Sequence, residues 1–259
     1  HGRYGQYGRL DARIGSAPRI NPADYAYEIT KTGKRDDSVV NHRIYRQKQE
    51  GLYYVEYHPV GGDANVEHLL SALDYAVTLD QVEARIAPDQ SLYFINLTAD
   101  EARKIADLTD DSAINEFRRS VSCVGSTVCQ IGIQDSNGLL KAIFTHLEAK
   151  GVDTRKLPRL HISGCPHSCG THQIGEIGFH GSVKLVDKKP TTSFMLVDGG
   201  SEHMGSENFG KMAGHIVATK IPEFMEALAN KLNEAPEPDF GTWRLTHKGE
   251  YMELIKAFE

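Results

Sequence analysis

The chain has 259 residues, of which 40% are apolar and 25% are charged, so it has enough apolar material for one large or two modest cores. Its 29 basic and 35 acidic residues give a net charge of −6, which excludes a polybasic nucleic-acid binder. No apolar run approaches the roughly 20 residues of a membrane span, and we therefore expect a cytoplasmic protein with neither a nucleic-acid nor a membrane partner.

The first 110 residues indicate an arm followed by a small α+β unit. Residues 1–38 are rich in Gly, Arg and Tyr without periodicity, which predicts an extended arm or linker, with disorder as the alternative. The chain begins at His1 without a start Met or a signal sequence, which indicates a processed chain or a piece of a longer one. Hydrophobic periodicity in residues 39–110 predicts strands over 53–57, 84–86 and 92–95, a helix after Asp63, and a second helix from Thr98 that Glu101 caps.

Residues 111–235 are expected to form a second, mixed α/β domain. Apolar residues at three- to four-residue spacing predict helices over 139–147 and after Pro222. Strands are predicted around Leu160 and over 177–197, with a break at Lys188-Lys189-Pro190. Ala235-Pro236-Glu237-Pro238 is a predicted linker, and residues 236–259 are expected to form a C-terminal tail.

The four cysteines fall into two tight pairs, C-x5-C at Cys123 and Cys129 and C-x3-C at Cys165 and Cys169. Two disulfides are one interpretation, but disulfide frameworks are typical of small secreted domains with more cysteines per residue. A structural zinc site is a second interpretation, although the first gap exceeds the usual C-x2–4-C spacing. An iron–sulfur cluster is the third: it needs four thiolates from two loops, and the glycines around the second pair allow close approach to a bulky cofactor.

The motif around the second pair reads Ser-Gly-Cys-Pro-His-Ser-Cys-Gly over residues 163–170. It is followed by Ile-Gly-Glu-Ile-Gly-Phe-His-Gly over 174–181 and by Asp198-Gly199-Gly200. Together with both cysteine pairs, these segments resemble the siroheme- and 4Fe-4S-containing nitrite and sulfite reductases. Upstream, residues 51–55 and the Arg85 to Gln90 turn are similar to the ferredoxin-like half domain of that family, so the resemblance covers residues 40 to 245.

The resemblance implies an α+β fold, in which a ferredoxin-like half domain (39–110) precedes a mixed α/β siroheme and 4Fe-4S domain (111–235). It implies that all four cysteines bind the cluster and that Cys169 is shared with the siroheme iron. Gln90, Gly199 and Gly200 are then expected beside the siroheme, and no catalytic residue is assigned. Arg118 and Arg119, just before the first pair, are candidates to bind the siroheme carboxylates, with a solvated helix face as the alternative.

Three departures from the family pattern bear on function. His167 stands where the family has Asn, and Asp89 stands where one half of the family carries a substrate-binding Arg beside the Gln. The sequence shows no second copy of the half domain. We therefore expect the cluster-bearing C-terminal half of a longer enzyme or a compact single-half relative, with a second half domain supplied in cis or in trans.

The first functional hypothesis, implied by the resemblance, is six-electron reduction of a small inorganic anion, either nitrite to ammonia or sulfite to sulfide. The cluster would relay electrons from ferredoxin or a flavoprotein to the siroheme. The alternative is a non-catalytic iron–sulfur module that transfers electrons or holds a cofactor, and a third possibility is a zinc-stabilised scaffold.

Overall fold

Alternating apolar residues in the first half of the chain build a four-stranded antiparallel sheet. The structure is a computed structural model that describes residues 28–259, so the first 27 residues of the predicted arm lie outside the described residues. The strand order is β1 (Ile44–Arg46), β2 (Tyr53–Tyr57), β4 (Leu92–Leu97) and β3 (Glu83–Ile86). Only β1 was not predicted, because its three residues are too few to show a period.

Two helices pack against this sheet, α1 (Val66–Ala76) and α2 (Ala99–Leu108). The capping box predicted at the start of α2 is confirmed, since the Thr98 backbone N–H donates to the Glu101 carboxylate at 2.8 Å. Val55 and Phe94 of the sheet meet Ala102 and Ile105 of α2 in a first core. The buried stripe of α2 therefore follows the predicted spacing, and its cap satisfies backbone donors at the helix start.

The second half of the chain builds a five-stranded mixed sheet in the order β5 (Val121–Ser122), β6 (Leu160–Ser163), β7 (Ile177–Val186), β8 (Lys189–Asp198) and β9 (Lys211–Val217). Strands β5, β6 and β7 are parallel, whereas β7, β8 and β9 form an antiparallel meander. The predicted break within 177–197 is a tight hairpin at Asp187-Lys188, whose φ angles are positive. Parallel pairing brings the carboxyl ends of β5 and β6 to one edge.

Four further helices cover the second sheet, namely α3 (Ser136–Ala149), α4 (Ile221–Glu234), α5 (Phe240–Thr246) and α6 (Lys248–Phe258). The helices predicted over 139–147 and after Pro222 correspond to α3 and α4. Residues 236–259, expected to be a tail, form α5 and α6 and place Trp243 and Tyr251 in the second core. Residues 32–259 form one compact unit, and the α+β class is confirmed.

A membrane span needs a helix of sufficient length and apolar character. Within residues 28–259, no helix is both long enough and apolar enough to cross a bilayer.

Candidate functional site

The two cysteine pairs lie at the carboxyl edge of the parallel strands of the second sheet. Cys123 follows β5 directly, and Cys165 lies two residues beyond β6. The Cys123 backbone N–H donates to the carbonyl of Ile162 at 3.0 Å, and the Gln134 N–H donates to the carbonyl of Gly164 at 2.8 Å. The first cysteine loop (residues 123–134) and the second (residues 164–170) are therefore bonded to each other through their backbones.

Glycines permit the close approach of the two loops. A Cβ on Gly164 would lie 2.5 Å from the carbonyl oxygen of Gln134 and 3.1 Å from the Cα of Gly125. Gly125 has φ of +69°, and a Cβ there would lie 2.7 Å from the backbone nitrogen of Ser136. A side chain at Gly164 would push the two loops apart, and one at Gly125 would push the first loop away from the start of α3. The glycines of the cysteine motifs are therefore needed for loop packing as well as for access to a cofactor.

All four cysteines lie within residues 28–259, and all four are free thiols. Cys165 is buried, Cys123 and Cys129 are half-buried, and Cys169 is exposed. The two-disulfide interpretation is thus not what the structure shows.

The sulfur of Cys123 lies between the second cysteine loop and the start of α3. It accepts a hydrogen bond from the Gly164 N–H at 3.1 Å and contacts the Ser136 hydroxyl at 3.1 Å. Ser136 is the first residue of α3, and Asp135 caps this helix by accepting from the Gly138 N–H at 2.9 Å. The sulfur therefore lies beside the amino end of α3, which is the positive end of the helix dipole.

Four histidines surround the second loop, and they differ in environment. His167 is exposed, and its Nδ1 lies 3.3 Å from the sulfur of Cys165. His161 and His172 are buried, with their Nδ1 atoms 2.8 Å from the Thr171 hydroxyl and 2.9 Å from the Ser163 hydroxyl. Burial lowers the pKa of each of these two imidazoles to about 4, so both are neutral at neutral pH. The fourth, His180, lies against the ring of His172.

Gln90 is the predicted siroheme contact that lies beside the cysteine loops. Its side-chain amide donates to the Ser122 carbonyl at 2.7 Å, and its oxygen accepts from the Ser122 N–H at 3.4 Å. This pair of bonds ties the β3–β4 turn to the residue before Cys123. In this structure Gln90 therefore positions the first cysteine loop from the neighbouring sheet.

Arg118 and Arg119 lie in the 3₁₀ turn Phe117–Arg119, before the amino end of β5. Arg118 pairs with Glu148 and stacks 4.5 Å from the centre of the Phe144 ring. Glu148 is twelve residues after Ser136 along α3, about 18 Å at the helical rise of 1.5 Å per residue. The structure therefore does not bring Arg118 to the cysteine edge.

Arg119 belongs to a mostly buried ionic network that sequence reasoning missed. Its guanidinium pairs with Glu56 of β2 and lies 2.9 Å from the Glu116 carboxylate. Arg159 extends the network, 3.1 Å from Glu116 and 3.7 Å from Asp89. Burial opposes the charge on Arg119, but the two carboxylates outweigh it and raise its pKa. The sequence feature that could have indicated this network is Glu56, the one charged residue in a predicted strand of apolar and aromatic residues.

Gly199 and Gly200 lie at the opposite edge of the sheet from the cysteines. They follow Asp198, which pairs with Ile177 at the amino end of β7, whereas the cysteines lie beyond the carboxyl ends of β5 and β6. Their N–H groups donate to the carbonyls of Glu176 and Gly175, both at 3.0 Å. In this structure the glycine pair packs two loops together.

The donor set at the carboxyl edge fits an iron–sulfur cluster. Two loops supply four soft ligands, and the Gly164 N–H donates to one of their sulfurs, that of Cys123. A mostly exposed Cys169 also leaves one thiol open to a second cofactor.

Comparisons with known proteins agree with the motifs. No protein-family model matches the chain. The chain is 26% identical over 193 residues to the ferredoxin–nitrite reductase of Synechococcus elongatus, covering 71% of this chain and 37% of that protein. It is 26% identical over 206 residues to the chloroplastic ferredoxin–nitrite reductase of Spinacia oleracea, covering 74% and 34%. The sulfite reductase (NADPH) hemoprotein beta-component of Lysinibacillus sphaericus is 28% identical over 124 residues, covering 44% and 22%.

The chain is a relative of the nitrite and sulfite reductases. It spans between 22% and 37% of the length of these three curated relatives. Its fold is similar to that of Mycobacterium tuberculosis NirA, with a TM-score of 0.63 at 20% identity over 80% of this chain and 40% of that one. It is also similar to dissimilatory sulfite reductase I, with a TM-score of 0.56 at 9% identity over 79% and 69%. This reductase relative therefore shares a fold with both of these solved structures.

Proposed function

We propose that this reductase relative is the cluster-bearing part of an enzyme that reduces nitrite to ammonia or sulfite to sulfide. The observation that carries the proposal is the placement of both cysteine pairs, as free thiols, at one edge of a parallel strand pair. The relatedness to nitrite and sulfite reductases supports the substrate class, a small inorganic anion.

Cys123, Cys129, Cys165 and Cys169 would bind a 4Fe-4S cluster, and the exposed Cys169 would also face siroheme. Bound there, the two cofactors would supply single-electron transfer and an open metal site for the anion. The Gly164 N–H, which donates to the sulfur of Cys123, and the nearby start of α3 would stabilise a thiolate ligand there. Gln90 fixes the entry to the first cysteine loop through Ser122.

The surface around the first pair supports a covering partner. Val124, Val128, Ile131 and Ile133 are large apolar side chains that are 45–74% exposed. Burying such a cluster is favourable by about 25 cal/mol per Å². We propose that a second half domain, in cis or in trans, covers this apolar rim. The names of the nitrite reductase relatives favour ferredoxin as the electron donor, with a flavoprotein as the alternative.

One observation favours the second candidate function, a non-catalytic electron-transfer or cofactor-holding module. The two arginines predicted to bind siroheme carboxylates are already paired with Glu148 and Glu56. The carboxylates of a bound siroheme would then need other cationic side chains to compensate their charge.

Anaerobic purification and reconstitution with iron, sulfide and siroheme tests the proposal. We expect about four irons per chain for a 4Fe-4S cluster, siroheme absorption bands, and nitrite- or sulfite-dependent oxidation of a reduced dye once the second half is supplied. Cys123→Ser and Cys165→Ser should lose the cluster, whereas Ser126→Ala, an exposed change in the same loop, should keep it.

The alternatives give different results in the same experiment. If the protein shows cluster absorption bands but neither binds siroheme nor oxidises the dye when the anion is added, the result supports the electron-transfer module and contradicts the reductase. A colourless protein with about one zinc per chain would contradict the iron–sulfur proposal altogether.

A further inference from the structure

The imidazole of His167 lies against the most buried of the four cysteine sulfurs. Its Nδ1 is 3.3 Å from the sulfur of Cys165, which is 6% exposed, while the His167 side chain itself is exposed. A thiolate has no proton to donate. When Cys165 is a metal ligand, the contact therefore requires Nδ1–H to be the donor and the sulfur to be the acceptor.

We propose that His167 is a positioning residue that donates a hydrogen bond to the Cys165 thiolate and raises the reduction potential of the cluster. This inference rests on the proposed function, because it needs a cluster on the four cysteines. The reduced cluster carries one more negative charge than the oxidised one. A donor on a ligand sulfur stabilises that added charge and makes reduction easier.

The burial of Cys165 increases the effect of this hydrogen bond on the cluster. Electrostatic interactions are screened less where water is excluded, so a donor at a buried sulfur has a larger effect than one at the exposed Cys169. The bonds to Cys123 come from Gly164 and Ser136 and do not depend on residue 167. A substitution at 167 therefore removes one sulfur contact and leaves those at Cys123 in place.

The expected effect is a shift of the reduction equilibrium. Loss of one net hydrogen bond changes an equilibrium constant by about two- to tenfold. For a one-electron couple, a tenfold change corresponds to about 59 mV. We therefore expect His167→Leu to lower the midpoint potential of the cluster by up to about 59 mV.

The experiment is a redox titration of the reconstituted full chain at one pH, followed by the EPR signal of the reduced cluster. The variants are His167→Leu, His167→Asn, which restores an N–H donor, and His203→Leu as the matched control. His203 is exposed and follows β8 at the opposite edge of the sheet. We expect a lower potential in His167→Leu, partial or full recovery in His167→Asn, and no shift in the control.

A second measurement on the wild-type protein keeps the inference open to refutation if His167→Leu fails to hold a cluster. With ¹⁵N-labelled histidine, a weak nitrogen coupling to the reduced cluster should be present and should be lost in His167→Asn. An unchanged potential in a cluster-bearing His167→Leu variant, or no histidine coupling in the wild type, overturns the role of His167 alone. A wild-type chain that binds no cluster overturns the proposed function instead.

Discussion

Neutralising Glu56 should destabilise the protein strongly, because this carboxylate compensates a mostly buried guanidinium. The Glu56 side chain is 5% exposed and that of Arg119 is 17% exposed. Glu56 also accepts a hydrogen bond from the Ser91 hydroxyl at 3.2 Å. Glu56→Gln keeps the size and an acceptor oxygen but removes the charge.

The magnitude follows from what remains around Arg119. Removing one partner of a buried ion pair costs about 3–5 kcal/mol, because the other charge is left uncompensated. Arg119 keeps Glu116 at 2.9 Å, but that carboxylate is 61% exposed and compensates less. We therefore expect Glu56→Gln to lower the free energy of unfolding by about 3 kcal/mol, at the low end of that range.

Urea unfolding followed by circular dichroism measures this change, with Glu148→Gln as the matched control. Glu148 pairs with the neighbouring Arg118 but is 63% exposed, so its neutralisation should cost at most about 1 kcal/mol. In the double variant with Arg119→Gln, the cost should be smaller than the sum of the single costs. Equal effects of Glu56→Gln and Glu148→Gln would refute the reasoning.

Three further changes have defined outcomes. Gly164→Ala places a Cβ 2.5 Å from the Gln134 carbonyl oxygen, so it should lower the free energy of unfolding by about 1–3 kcal/mol and also lower the iron content. The control Gly249→Ala, whose Cβ would have nothing within 4 Å, should be neutral or stabilising. Equal urea midpoints of the two variants would contradict this prediction. Thr98→Ala should cost about 1 kcal/mol in the same assay through loss of the α2 cap, and an unchanged midpoint would contradict the capping role. His58 is buried, and burial lowers its pKa from 6.5 to about 4. Between these two pH values the unfolded state binds a proton that the folded state does not. The free energy of unfolding should therefore fall by about 3 kcal/mol as the pH drops from about 6.5 to 4. His58→Gln should reduce this slope in urea titrations at several pH values, and an unchanged slope would assign it to other groups.

Local signals in the sequence were sufficient for the regular elements. The capping box at Thr98 and the apolar spacing of α3 act over a few residues, so each could be inferred without knowing the fold. The break predicted at Lys188-Lys189-Pro190 exists but lies at Asp187-Lys188, because Lys189 and Pro190 already pair with β7 as the start of β8. Strand β5 could not be predicted, because two residues show no period and are held by pairing with β6. The same holds for the residues expected to be a tail, whose apolar side chains become core only against α4 and β9.

Residues far apart in the sequence decided the candidate site. Proximity to the cysteines along the chain suggested a cofactor role for Arg119, yet β2 offers it a buried carboxylate that no local pattern links to it. Gln90 remains a predicted cofactor contact, and the structure adds a partner that no local pattern indicates, the backbone of Ser122.

The sequence by itself determined the chemistry available to this protein, namely four thiols in two tight pairs, flanked by glycines that allow close packing. The tertiary structure alone decided which groups share a neighbourhood: parallel pairing of β5 and β6 brings together Cys123 and Cys165, 42 residues apart, and leaves Gly199 and Gly200 at the other edge. The physical reason is that thiol chemistry and turn preference belong to single residues, whereas proximity depends on strand order and on the burial of charges against partners from another sheet.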